Sequence, residues 1–107
     1  MNDALKLLEQ QYNLLLNNFD DLIANCTSDE QKSALRTALV NARRNYWTAI
    51  NETFHTDDPK VETAIKNLNA VEGQLETQVK VLGDIAKVIA VATSAVAAGG
   101  ALVALAG

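Results

Sequence analysis

From Val88 to Gly107 the chain reads VIAVATSAVAAGGALVALAG, without one ionic side chain after Lys87. Such a stretch needs an apolar home. About 20 residues of helix span roughly 30 Å, the thickness of a bilayer's hydrocarbon core. Lipid, a second copy of the chain and the chain's own core are the three candidate surroundings. Alanine dominates the segment, and Val88, Ile89, Val91, Val96, Leu102, Val103 and Leu105 supply its bulk. Alanine is near neutral on an insertion scale, whereas Leu and Ile gain only about 0.5 kcal/mol each. The segment is therefore a weak anchor that gains from assembly. Ala92, Val96, Gly100 and Ala104 form one row of small residues four apart, with Ala95 and Gly99 in another. Such rows permit close backbone contact between helices in lipid.

The upstream residues predict long helices. Proline occurs once, at Pro59, and no glycine precedes Gly73. In helix 1, about residues 3–25, Leu5, Leu8, Tyr12, Leu15, Phe19, Leu22 and Cys26 recur at alternating spacings of 3 and 4, with Leu16 and Ile23 widening the stripe. That is the seam of a coiled coil. Thr27 or Ser28 suits the N-cap of helix 2, with Glu30 or Gln31 three residues on to complete a capping box. Helix 2, about 29–54, turns Leu35, Leu39, Ala42, Tyr46, Ala49, Ile50 and Thr53 inward and holds Trp47 and Phe54 at its edge. Asp58 as cap and Pro59 as first helical residue begin helix 3, about 59–86. Its seam is Val61, Ile65, Leu68, Leu75, Val79, Leu82, Ala86 and Ile89, with Glu72 falling on it once.

Short connections make neighbours antiparallel. The expected fold is all-α: an up-down-up antiparallel three-helix bundle over residues 1–86, with residues 87–107 as an extended apolar C-terminal helix. Helix 2 at about 26 residues reaches roughly 39 Å, and helix 3 covers it by about Asp84, so the remainder overhangs. An alternative is a fold-back that completes a four-helix bundle in one chain. Gly83 would end a helix and Asp84 cap the next, across an unusually tight turn.

The totals exclude several function classes. A formal charge of −4 opposes nucleic-acid binding, which needs a basic footprint. The single cysteine, Cys26, excludes an internal disulfide. The N-terminus MNDALKLLEQQ lacks a signal peptide's apolar core, which predicts synthesis in the cytoplasm, with leaderless export compatible. Lys80 and Lys87 before the segment favour a topology with the bundle inside.

Few residues suggest chemistry. Glu52 and His55 match the E-x-x-H spacing of di-metal bundles, but the chain has no second histidine. His55, Asp57 and Asp58 cluster at a turn that implies no cleft, and Cys26 reads as a small buried hydrophobe. No phosphate loop, nucleophile elbow or zinc spacing is present. The expectation is no enzyme, no cofactor, no metal and no small-molecule substrate. Arg43 and Trp47, four apart on helix 2, form a candidate partner surface; the plainer reading has Arg43 lying over a Trp47 that closes the bundle edge. Ten asparagines, many off the seams, have no evident role at this level.

Heptad-patterned helices ending in a small-residue apolar stretch resemble the architecture of α-helical pore-forming toxins, in which a bundle shields an Ala/Gly/Val-rich element that later enters the bilayer. The resemblance covers about the last half of the chain and rests on pattern and composition. The helical hairpins of type VII secretion are a poorer comparison, because Trp47-Thr48-Ala49 lies inside a helix and lacks their turn glycine. The expected function is membrane association or insertion through the candidate segment Val88, Ile89, Val91, Ala92, Ala95, Val96, Gly99, Gly100, Leu102, Val103 and Leu105, as a homo-oligomer of anchor or pore-forming type. The alternative is a soluble homo-oligomeric module whose C-terminal helices share a core.

Overall fold

A computed structural model describes residues 3–106, which form four α-helices. They are α1 (Asp3–Ala24), α2 (Asp29–Ile50), α3 (Pro59–Val81) and α4 (Ile85–Ala104). Met1, Asn2 and Gly107, the outermost residues of the two expected segments, lie outside the described residues.

Each helix starts where its caps allow. Ser28 Oγ accepts from the Gln31 backbone N–H at 3.2 Å, while Gln31 Oε1 accepts from the Thr27 N–H at 2.7 Å, so two donors at the α2 entry are satisfied reciprocally. Asp58 accepts from Lys60 N–H at 2.9 Å with Pro59 next in line, as expected. Helix α2 ends at Ile50, four residues before the expected Phe54, and residues 51–58 form the connection to α3.

The largest departure from expectation lies at residues 82–84. A continuous third helix with an overhanging end is not formed. Leu82 caps α3 in the left-handed conformation (φ 48°, ψ 39°), and its N–H donates to Gln78 O. Asp84 then caps α4 by accepting from Ala86 N–H at 3.0 Å. Leucine takes the strained residue of this turn, whereas Gly83 has an ordinary negative φ. A non-glycine residue there costs about 1 kcal/mol, and half-burial of Leu82 against the core offsets it.

The reversal turns the expected three-helix arrangement into two hairpins, α1–α2 and α3–α4. Their starts and ends sort into two apolar clusters. One gathers Ala4, Leu8, Ala49, Val61, Leu68 and Leu102; the other gathers Leu15, Leu22, Leu35, Ala42, Leu75, Val79, Val88 and Ala92. Helices α1 and α3 therefore run parallel, as do α2 and α4. Among the described residues the α2 and α3 backbones stay more than 8 Å apart, and α4 packs against both. The segment expected to overhang is thus, with α1, one of the two walls that join α2 to α3. The bundle measures 43 × 21 × 20 Å.

The seams are largely as read. Leu8, Leu15 and Leu22 are buried on α1, with Leu5, Tyr12, Phe19 and Cys26 half-buried. On α2, Leu35, Ala38, Ala42 and Ala49 are inside, while Ile50 is 50% exposed and Thr53 lies in the connection. Phe54, also in that connection, turns inward against the first cluster. Leu16 does not widen the α1 core; it is 46% exposed.

Candidate functional site

The residues singled out in the C-terminal segment do not act as one lipid-facing surface in this arrangement. Val88, Ala92, Ala95, Val96, Gly99 and Leu102 are buried, and Ile89, Val91, Gly100 and Val103 are half-buried. Leu105 lies past the end of α4 as its C-cap and is exposed. The physical reason is the reversal at residues 82–84, which turns the bulky face of α4 onto its own chain. What remains outside is Ala86, Lys87, Ala90, Thr93, Ser94, Ala97, Ala101 and Ala104. Helix α4 is still long and apolar enough to cross a membrane, and only 33% of its most apolar stretch is buried.

The other helices differ in their outer faces. Lys6, Glu9 and Asp20 project from α1, Arg36, Arg43 and Arg44 from α2, and Glu62, Lys66, Glu76 and Lys80 from α3. After Lys87, the exposed residues of α4 are alanines, Thr93 and Ser94, with Ile89, Val91 and Val103 partly showing, and Thr93 Oγ1 donates back to Ile89 O at 2.8 Å. Between α2 and α4 runs an open groove of about 760 Å³, lined by small residues such as Ala34, Thr37, Ala97 and Gly100, with Glu30 and Arg44 at its lips.

Behind the inner face of α4 sits a polar layer that the sequence reading did not assemble. Each helix contributes one member. Gln11 of α1 is fully buried, and its Nε2 donates to Glu72 Oε2 of α3 at 3.3 Å. Asn45 of α2 donates from Nδ2 to the Val96 carbonyl of α4 at 3.2 Å. Gly99 is the α4 member. A Cβ there would lie 3.0 Å from Leu8 Cδ2, 3.1 Å from Gln11 Oε1 and 3.2 Å from Asn45 Nδ2. The missing side chain is what lets α4 close over the layer. At Gly100, an added Cβ would meet Asn45 no closer than 3.8 Å.

Glu72 is 6% exposed, and burial pushes its carboxyl up from 4.5 to about 7. The hydrogen bond from Gln11 opposes that rise, and the charge of Glu76 adds to it. Gln11 was legible in one respect, because Leu8, Gln11 and Leu15 follow the same 3–4 spacing as the α1 seam. A polar residue on a seam is a sequence signal for a buried contact. Asn45 carried no such signal, since its partner is a backbone carbonyl on another helix.

The remaining candidates do not converge. The Arg43 guanidinium lies 5.3 Å from the centre of the Trp47 ring, a cation–π contact on the outside of α2, and Trp47 is 56% exposed. Neither residue joins the α4 segment. Glu52 and His55 lie in the connection after α2, so they do not share one turn of a helix. No group of three or more metal-ligating side chains gathers among the described residues. Cys26 is half-buried, with Sγ 3.4 Å from Leu22 O. Among the asparagines, Asn18 in α1 and Asn25 just past its end each donate to a carbonyl four residues back. On the α1–α2 face, Tyr46 stacks on Tyr12 with centroids 6.1 Å apart and donates to Glu9 Oε2 at 2.8 Å.

No family model, curated protein or solved structure matches this chain.

Proposed function

We propose that this chain is a non-enzymatic membrane-associating protein whose bundle stores α4 in a water-compatible form and releases it to a lipid bilayer. One observation carries the reading. The outer face of α4 has no ionic group beyond Lys87, whereas every other helix of the bundle carries charges outward. A helix kept permanently in water gains solubility from charges on that face, and α4 forgoes them over its exposed length after Lys87.

The residue chemistry also says how far contact must go. Outward alanines gain almost nothing from lipid, and the apolar bulk of α4 faces the core. Substantial gain requires α4 to leave the bundle with its Val, Ile and Leu side chains. Its departure strips the cover from Leu8, Leu15 and Leu35, so self-association of the opened chains, through the small-residue rows of α4, accompanies entry. Anchoring and pore formation both follow from such a step.

A second reading has support from the groove between α2 and α4. Its small lining residues suit close approach of another helix in water, which would make the chain a soluble self-associating module.

Flotation on neutral phosphatidylcholine vesicles separates the two. Truncation before α4 is unsuitable, because it removes a wall of the core. Ala97→Glu with Ala101→Glu charges the outer face of α4, Ala97 at the edge of the groove, without entering the core, and Asn69→Glu on the outside of α3 is the control. The membrane reading expects wild type and control to float and the double variant to stay in solution. Wild type that never floats, yet sediments as an oligomer that the double variant dissociates, sinks the membrane reading in favour of the second.

A further inference from the structure

Two buried side-chain atoms lack a hydrogen-bond partner among the described residues: Gln11 Oε1 and Glu72 Oε1. They belong to the same contact. Gln11 Nε2 already donates to the other Glu72 oxygen, so each orphan belongs to a group whose other polar atom is engaged in this contact. With Glu72 ionised, both orphans are acceptors and neither has a donor. An unsatisfied buried polar atom is costly, and two on facing groups more so. One proton resolves both. A carboxylic acid and a carboxamide close a cyclic pair, in which each group donates once and accepts once.

We infer that Gln11 and Glu72 form a proton-binding latch between the two hairpins: with the proton on Glu72 Oε1, that hydroxyl donates to Gln11 Oε1 while Gln11 Nε2 donates to Glu72 Oε2, and loss of the proton weakens the seam between α1 and α3. The contact joins α1 of one hairpin to α3 of the other, between the two apolar clusters, where Gly99 brings the α4 backbone against Gln11. Among the described residues no other side-chain hydrogen bond in this layer links the same two helices, since Asn45 binds α4.

The charged surroundings favour retention of the proton. On α3, Glu76 faces Glu72 with like charge. From α1 the group that meets it is the neutral Gln11 amide; Lys6 lies in the outer α1–α3 groove beside Ile65 and Lys66. From α4 the one ionic side chain is Lys87, in the outer α3–α4 groove beside Gly73 and Thr77. The α2 backbone stays more than 8 Å from α3, and no described cation pairs with Glu72. Burial then raises its carboxyl to about 7.

The sign follows from linkage. The folded chain holds this proton more tightly than the unfolded chain, so the latch's stabilisation is fully present below the ordinary value of 4.5 and is lost as pH rises through about 7. The bundle is tightened by acid and loosened towards alkaline pH. This holds whether or not α4 enters a bilayer.

The test begins with wild type, so that no variant need fold. Carbon-13 titration of the Glu72 side-chain carboxyl in the full chain should give a midpoint near 7, with the Gln11 side-chain amide shifting at the same pH. A Glu72 midpoint near 4.5, or a Gln11 amide indifferent to it, overturns the latch. Urea unfolding of Glu72→Gln, which keeps a neutral hydrogen-bonding group, then isolates the linkage. Between pH 4.5 and about 7 the wild-type unfolding constant should rise relative to the variant's by about tenfold per pH unit. Parallel pH dependence in the two proteins overturns it equally.

Discussion

Helix α4 and helix α1 are nearly the same length and touch the same two apolar clusters, yet they meet water differently. The core face of α1 is built from leucines, with Leu8, Leu15 and Leu22 buried. Its outside is charged or amide-bearing apart from Leu16 and Ala24. The core face of α4 is Val88, Ala92, Ala95, Val96, Gly99 and Leu102, and its outside is more alanine. Helix α1 is amphipathic by chemistry. Helix α4 differs between its faces mainly by size, with bulk inside and methyl groups outside. A helix divided by size rather than polarity fits a protein core and is not tied to water, which is the property the membrane proposal uses.

That comparison can be broken at its strongest point first. If the inner face of α4 is true core, Leu102→Ala should lose about 2–5 kcal/mol of unfolding free energy in urea, the same range as Leu15→Ala on α1. A loss near zero would mean that α4 is not held as α1 is. The close approach at the polar layer comes next. Gly99→Ala should destabilise by about 1–3 kcal/mol through crowding of Leu8, Gln11 and Asn45, whereas Gly100→Ala should be neutral or stabilising by up to about 1 kcal/mol through helix propensity. Equal effects at the two glycines would remove Gly99 from the layer.

The hairpin entries give a smaller contrast. Asp84→Ala should cost about 1 kcal/mol and speed amide exchange in the first turn of α4, and Ser28→Ala should do the same for α2. Exchange confined to α4 is the sharper outcome, because it would show this hairpin opening before the other. Smallest is the outside of α2. Trp47→Ala should change stability by only about 0.5–1 kcal/mol, the worth of an exposed cation–π contact with Arg43, and Tm by a few degrees at most.

Much of the fold was legible because helix signals are local. The 3–4 spacing from Leu8 to Leu22, the Ser28 and Asp58 caps and Pro59 each act within a turn or two of chain, and each stands where sequence placed it. Phe54 turns inward from the connection rather than standing at the edge of α2, because a loop aromatic is buried by what surrounds it, not by its own periodicity. The turn at 82–84 was visible only as Gly83 and Asp84, and its strained position falls on Leu82 instead. An unbroken apolar rhythm from Val79 through Leu82 to Ile89 reads as one helix. A single left-handed residue, too small a change to disturb that pattern, reverses the chain.

Sequence by itself determined that this protein is helical, that its first three helices are amphipathic, and that its last twenty residues need apolar surroundings. Those properties follow from side-chain chemistry and short-range spacing. Tertiary structure alone decided what those surroundings are. The α1–α2 hairpin and α3 leave a shared gap, since the α2 and α3 backbones stay apart, and burying α4 there removes apolar surface from water on both sides at once. The same closure brought Gln11, Asn45, Glu72 and Gly99 into one layer, a meeting of residues up to 88 positions apart that no local pattern encodes.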